Sequence, residues 1–269
     1  MLISIRHISR YSYAEPVGYT IQSLRLTPAS FAGQRVLDWR VHAVGAGMPL
    51  QFKDGFGNLV DLVAINASHA QLTIEAGGTV ETSDRNGVVA GLAETMPRRV
   101  FLRETETTRP DAAIRALAAA ARGPDPLSRL HDLVGAVRDR VEYVAGATDA
   151  RTGAAEALAA GKGVCQDHAH IFIAAARTLG VPARYVTGYL VLDAPGTSEA
   201  HHAWAEAWVE GLGWVGFDVA NGICPTERYV RLAAGLDAGY AAPVVGSRRG
   251  GSTERLDVSV EVQQQSAQQ

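Results

Sequence analysis

Apolar and polar side chains alternate in short runs over residues 1 to about 85. Leu2, Ile3 and Ile5 open a strand, Ile21-Gln-Ser-Leu-Arg-Leu26 alternates and stops at Thr27-Pro28, and Val36 to Val44 alternates again. Asp54-Gly-Phe-Gly-Asn58 supplies turn chemistry ahead of Leu59 to Ile65, and runs at Leu72–Ala76 and Thr79–Thr82 follow. Successive side chains on a pleated strand face opposite ways, so this rhythm predicts sheets with one buried face. Short strands broken by turn residues suggest a sandwich or small barrel. Residues 86 to about 108 lose the rhythm and read as a linker, giving an N-terminal β domain plus linker over residues 1–100.

The period then changes. Thr108-Arg-Pro-Asp111 reads as a capping box ahead of an alanine-rich helix that runs to Arg122 and halts at Gly123-Pro124. Asp125-Pro126 restarts a helix with an N-cap aspartate and a proline at its first position. Leu127, Leu130, Val134, Val137 and Val141 recur at helical spacing and form one apolar stripe, a core face. A short helix is expected near residues 153–160, and another from Cys165 to a stop at Gly180 and Pro182. Strands return at Arg184–Leu192, Ala203–Val209 and Trp214–Asp218. On the second of these, His202, Trp204, Glu206 and Trp208 share one face. Ala203, Ala205, Ala207 and Val209 share the other, where small residues let a helix approach closely. The expected fold class is therefore α+β, with a core over residues 101–235 in which a helix packs on an antiparallel sheet. A late strand at 254–262 is able to return to the N-terminal sheet, and the glutamine-rich 263–269 reads as a disordered tail.

Bulk composition removes several classes. The 269 residues are 47% hydrophobic and 20% charged, with a formal net charge of −3, which fits an ordinary globular protein. No Lys/Arg stripe suggests nucleic acid. No apolar run reaches the roughly 20 residues of a membrane span, and no secretory leader is evident at the N-terminus, so a cytoplasmic location is expected. Two cysteines, Cys165 and Cys224, make a disulfide a poor expectation. No glycine-rich phosphate loop or zinc spacing is present, so no cofactor and no metal are expected. His168 and His170 lie two apart on a helix, diverging by about 200°, and are poorly placed to share an ion.

The chemistry centres on Cys165. Two glycines, Gly161 and Gly163, lead into it, and it opens its helix. A thiol in a first turn sits beside unpaired backbone N–H groups and the positive end of the helix dipole, which favours the attacking thiolate. Cys224 lacks that address and reads as a buried thiol near a turn. His201 and His202 are rival bases, since alternation sends their rings to opposite faces and periodicity alone does not choose between them. Asp218 would orient the imidazole or else cap the Asn221-Gly222 bend, with Glu206 as a weaker rival. An oxyanion needs at least two donors. The Cys165 N–H is one, and Tyr143 or Gln166 is the candidate second. Trp204, Trp208 and His168 are candidates to line a substrate cleft, although tryptophans on a strand also read as core. Asp167 reads as support for the helix dipole.

Four runs carry a resemblance: Gly163-Val-Cys165-Gln-Asp-His-Ala-His170, Gly180-Val-Pro-Ala-Arg-Tyr-Val-Thr-Gly-Tyr189, His202-Ala-Trp-Ala-Glu206 and Gly213-Trp-Val-Gly-Phe-Asp218. Together they resemble the bacterial transglutaminase-like superfamily, a group of candidate cysteine proteases. Leu24-Arg-Leu-Thr-Pro28 and Asp54-Gly-Phe-Gly-Asn58 resemble the β domain that precedes that core. The resemblance implies a papain-like core with Cys165 as nucleophile, His202 rather than His201 as base, and Asp218 as orienter. His168 departs from the aromatic residue usual at its place. Hydrolysis of a peptide or side-chain amide through a thioester is the expected reaction, with a peptide or protein as substrate. Acyl transfer to an amine, and a non-catalytic binding or scaffold module, are the alternatives. Calcium use does not carry over, since no Asp-rich calcium loop is present. The oligomeric state is not legible.

Overall fold

The structure, a computed structural model, describes residues 1–93, 95–192 and 201–265. Six strands, β1 (Leu2–Val17), β2 (Tyr19–Thr27), β3 (Gln34–Ala43), β4 (Leu50–Lys53), β5 (Leu59–Ile65) and β6 (His69–Thr82), come first. Two late strands, β14 (Val244–Arg249) and β15 (Glu254–Gln264), rejoin them. They form two antiparallel sheets in the orders β15-β1-β6-β3 and β14-β2-β5-β4. Strict alternation along β2 turns Leu24 and Leu26 inward, where they meet Ile3, Ile5, Leu72 and Ile74 from the facing sheet. The result is a sandwich.

The helical half begins earlier than the spacing predicts. Residues 86–108 are not a free linker: β7 (Val88–Val89) pairs with a core strand, and a 3-10 turn at Arg98–Leu102 buries Phe101. The carbonyl of Phe101 accepts from Arg177, which anchors this stretch. Helix α1 (Ala112–Ala120) is capped by Asp111, whose carboxylate accepts from the Ile114 N–H, and it ends two residues short of Arg122. The expected Thr108 box is absent because the Thr108 hydroxyl accepts from Arg177 instead. Helix α2 (Pro126–Arg138) starts as its Asp125-Pro126 signal predicts. A short strand β8 (Glu142–Tyr143), helix α3 (Ala154–Ala160), strand β9 (Lys162–Gly163) and helix α4 (Cys165–Thr178) follow. Strands β10 (Ala183–Leu190), β11 (His201–Val209), β12 (Gly213–Phe217) and β13 (Tyr229–Gly235) complete an antiparallel sheet ordered β13-β10-β11-β12-β7.

Ala203, Ala205 and Ala207 of β11 share one core cluster with Ile171, Phe172 and Ala175 of α4, so the small face does receive the helix. The opposite face of this sheet meets the sandwich, and Tyr189, Val230 and Leu232 enter the same apolar cluster as Leu24 and Leu26. Every residue of β10 and β13 is consequently buried. The open edge of β13 is closed by two side-chain amides. Gln34 donates to the Arg231 carbonyl at 2.9 Å and accepts from the Arg231 N–H at 2.7 Å. Asn58 donates to the Ala234 carbonyl and accepts from the Ala234 N–H, both at 2.8 Å. Strand β15 runs through Gln263 and Gln264, which pair with Ser4 and Ile3, so these two are not part of a disordered tail. Residues 266–269 lie outside the described residues. Among the described residues no helix is long and apolar enough to cross a membrane.

Candidate active site

The approach to Cys165 is fixed by one carboxylate. Asp167, fully buried in the first turn of α4, accepts from the Val164 N–H at 2.7 Å and from the Thr148 hydroxyl at 2.6 Å. This closes the helix start and holds the preceding loop against it. Gly163 is required here, since a Cβ on it would stand 2.7 Å from the Asp167 Cβ. The parallel pairing of β8 with β9 sets Tyr143 opposite Gly163, two residues ahead of the thiol.

His202 lies at the start of β11, and Asp218 just past β12. The His202 Nε2–H donates to Asp218 Oδ2 at 2.6 Å. The Cys165 side chain is close enough to the same ring to act on its charge, and with Nε2 taken the nitrogen left to face the sulfur is Nδ1. Burial works against a charged ring. The hydrogen bonds and charges of Asp218 and Cys165 outweigh it and push the His202 pKa up to about 10. Burial raises the Asp218 pKa, but bonds from His202, Tyr229 and Asn221 hold it below the usual carboxylate value. The Asp218 Oδ1 also accepts from the Asn221 N–H at 3.2 Å. Asp218 thus caps the bend and receives the imidazole at once.

The rivals are held by other partners. The His201 ring turns to Thr187, at 3.0 Å, and to His7 of the sandwich, and burial brings its pKa down to about 4. Glu206 is fully buried between Arg184 and Arg231, at 2.5 and 2.8 Å, and its pKa falls to about 2 because their charges overcome its burial. Burial and Asp84 push the Cys224 thiol up.

Three cleft expectations are corrected. His168 is 2% exposed, with its ring nitrogens at 2.9 Å from the Val164 carbonyl and 3.0 Å from the Val141 carbonyl. It ties α4 to the chain ahead of β8. Trp204 is equally buried and stacks behind His202, with ring centroids 6.4 Å apart. Trp208 sits at the far end of β11 against Trp214, under the Arg98 guanidinium. The groove that reaches His202, about 590 Å³, is lined instead by Tyr143, Val164, Leu190, Leu192, Ala220 and Asn221 among others. Tyr143 stands on its rim, 45% exposed. The Gln166 amide turns away toward the Asp149 carbonyl, at 3.5 Å. Sequence reasoning missed Tyr229, whose hydroxyl donates to Asp218 Oδ2 at 2.7 Å, and Asn221, whose side-chain amide does the same at 2.7 Å. The Asp218-to-Asn221 spacing signalled the bend. No local signal marks Tyr229.

Comparison with known proteins agrees with this architecture. The profile of the transglutaminase-like superfamily matches residues 115–219, and that of the bacterial transglutaminase-like N-terminal region matches residues 3–81. An uncharacterized protein of Mycobacterium leprae is 30% identical over 270 residues, covering 95% of this chain and 96% of its own. An uncharacterized protein of Mycobacterium tuberculosis is 30% identical over 292 residues, covering 96% and 91%. The crystal structure of a candidate cysteine protease from Cytophaga hutchinsonii superposes with a TM-score of 0.76 at 22% identity, over 98% of this chain and 90% of that one. With both regions matched in order, and relatives aligned from end to end, this chain belongs to the bacterial transglutaminase-like family.

Proposed function

We propose that the protein is a thiol-dependent hydrolase acting on a peptide or side-chain amide, with Cys165 as nucleophile, His202 as base and Asp218 as orienter. The observation that supports this is the 2.6 Å hydrogen bond from the His202 ring to Asp218 Oδ2, with the Cys165 side chain acting on the same ring. The ring takes the thiol proton, and the thiolate attacks the amide carbon. The oxyanion that forms faces the Cys165 N–H, one of the first-turn donors without an intrahelical acceptor. Tyr143 on the groove rim is the second donor in this reading. His202 then returns its proton to the departing nitrogen as the C–N bond breaks. Ammonia or an amine leaves, and a thioester remains. His202 next takes a proton from water as the water adds. Collapse of that adduct releases the carboxylic acid, and the proton goes back to sulfur. The Leu190, Leu192 and Val164 walls suit an uncharged side chain next to the reacting carbonyl.

Two measurements test this. Iodoacetamide should label Cys165 faster at neutral pH than it labels a free thiol, and a rate equal to the free thiol favours a scaffold role. Incubation with a glutamine peptide and a labelled amine should give mainly free acid and ammonia. Efficient amine incorporation with little acid would move the assignment to acyl transfer.

A further inference from the structure

Asp218 receives more hydrogen bonds than an orienting carboxylate needs. Its Oδ2 accepts from His202 Nε2 at 2.6 Å, from Asn221 Nδ2 at 2.7 Å and from the Tyr229 hydroxyl at 2.7 Å. One donor, the imidazole, suffices to hold the ring and its tautomer. The others compete with it for the same oxygen. A carboxylate oxygen has a finite accepting capacity, and each added donor draws off charge and weakens its grip on the rest.

The phenol is not loosely placed. Tyr229 is 6% exposed and meets the Trp204 ring edge-on, with centroids 5.5 Å apart and planes at 85°. It is the first residue of β13, the strand that the sandwich grips. The Gln34 amide pairs with Arg231, two residues on, and the Thr82 hydroxyl donates to the Glu227 carbonyl, two residues back. The charged and titratable groups around His202 are Cys165 from α4, Asp218 after β12, Tyr229 opening β13 with Arg228 in the turn ahead of it, and His201 on its own strand with His7 of β1 behind it. Tyr229 is the member of this set whose position depends directly on the grip of the sandwich on β13.

We propose that Tyr229 is a positioning residue that limits the strength of the His202–Asp218 hydrogen bond, and that the N-terminal sandwich holds the phenol in place through its clamp on β13. The sandwich thereby takes part in setting the chemistry of a site to which it contributes no reacting group. This inference rests on the proposed Cys165–His202 pair.

The test uses the full chain labelled with nitrogen-15 in its histidines. Tyr229→Phe removes one competing donor, so the His202 Nε2–H proton resonance should move downfield. The pH at which the ring loses its proton should rise, by up to about one unit. Gln34→Ala should move the resonance the same way by less. Site-specific 3-fluorotyrosine at position 229, a more acidic phenol and a stronger donor, should move it upfield. That third arm keeps the test decisive if Tyr229→Phe folds poorly. A merely structural Tyr229 would lower the melting temperature and leave the resonance where it is. An unmoved resonance in folded Tyr229→Phe, or in the fluorotyrosine protein, overturns the inference. The iodoacetamide rate of Cys165 in the unsubstituted protein reports separately on the proposed nucleophile, so the two failures are distinguishable.

Discussion

The sandwich closes over Ile3, Leu24, Leu26, Leu72 and Ile74 with few buried charges, Asp61 among them, whereas the helix–sheet half hides Asp167, Arg177, Glu206 and Asp218 among its alanines. Both are well buried, but they are held by different physics. Apolar packing in the sandwich is a sum of many small contacts and tolerates rearrangement. Buried charge in the other half is stable only while each partner is present. The difference locates function, since costly burial of polar groups persists where positioning is needed. It also predicts unequal responses to substitution.

The largest effect should be functional. Cys165→Ala should abolish iodoacetamide labelling in the groove and any turnover, with a stability change within about 1 kcal/mol, since a partly exposed first-turn thiol adds little to the core. Urea denaturation beside the labelling assay checks both parts. Glu206→Gln comes next. It leaves Arg184 and Arg231 without their carboxylate and should cost about 3–5 kcal/mol, read by urea denaturation.

The joint between the halves should be acid-sensitive. His7 and His201 face each other across it with ring centroids 6.1 Å apart, and burial first, then the charge of His201 on His7 and of His202 on His201, brings each pKa down to about 4. An unfolded histidine takes its proton near 6.5 while these folded rings stay neutral. The stability they permit is therefore complete above that pH and lost as pH falls from about 6.5 toward 4, by on the order of 3 kcal/mol for each ring. Melting temperatures across that window should fall, and less steeply in His201→Gln. His202 has the opposite sign, contributing stability below pH 6.5 that disappears as pH rises toward 10.

Smaller again, Asn58→Ala should cost about 1–3 kcal/mol by leaving the Ala234 N–H and carbonyl buried without partners. Phe52→Ser, on the exposed outer strand β4, should change stability by no more than about 0.5 kcal/mol. A Phe52→Ser penalty as large as that of Asn58→Ala would erase the contrast drawn here.

Alternation made β2 and β6 readable, because in each a buried face alternates with a wetter one, while β4 and β14 carry no such signal and went unread. The same rule gave little for β10 and β13, which are covered on both sides and show no alternation. The Cys165 helix start and the Asp218 bend were visible because both are local. The pairing of His202 with Cys165 is long-range, and strand periodicity left it tied with His201 until the family resemblance separated them. Trp204 stayed open between cleft and core because face assignment does not say which layer covers the face. Tyr229 went unseen because its partner lies eleven residues away across a turn. The stretch at 86–108 misled for a similar reason: its anchor is Arg177, far along the chain.

The amides of Gln34 and Asn58 do the work of a neighbouring strand, each presenting one donor and one acceptor to β13. A carboxylate of the same shape has no donor, so hydrolysis of either amide would set an anionic oxygen against a backbone carbonyl. Spontaneous deamidation during ageing, a change of about one mass unit, would therefore loosen the seam between the halves.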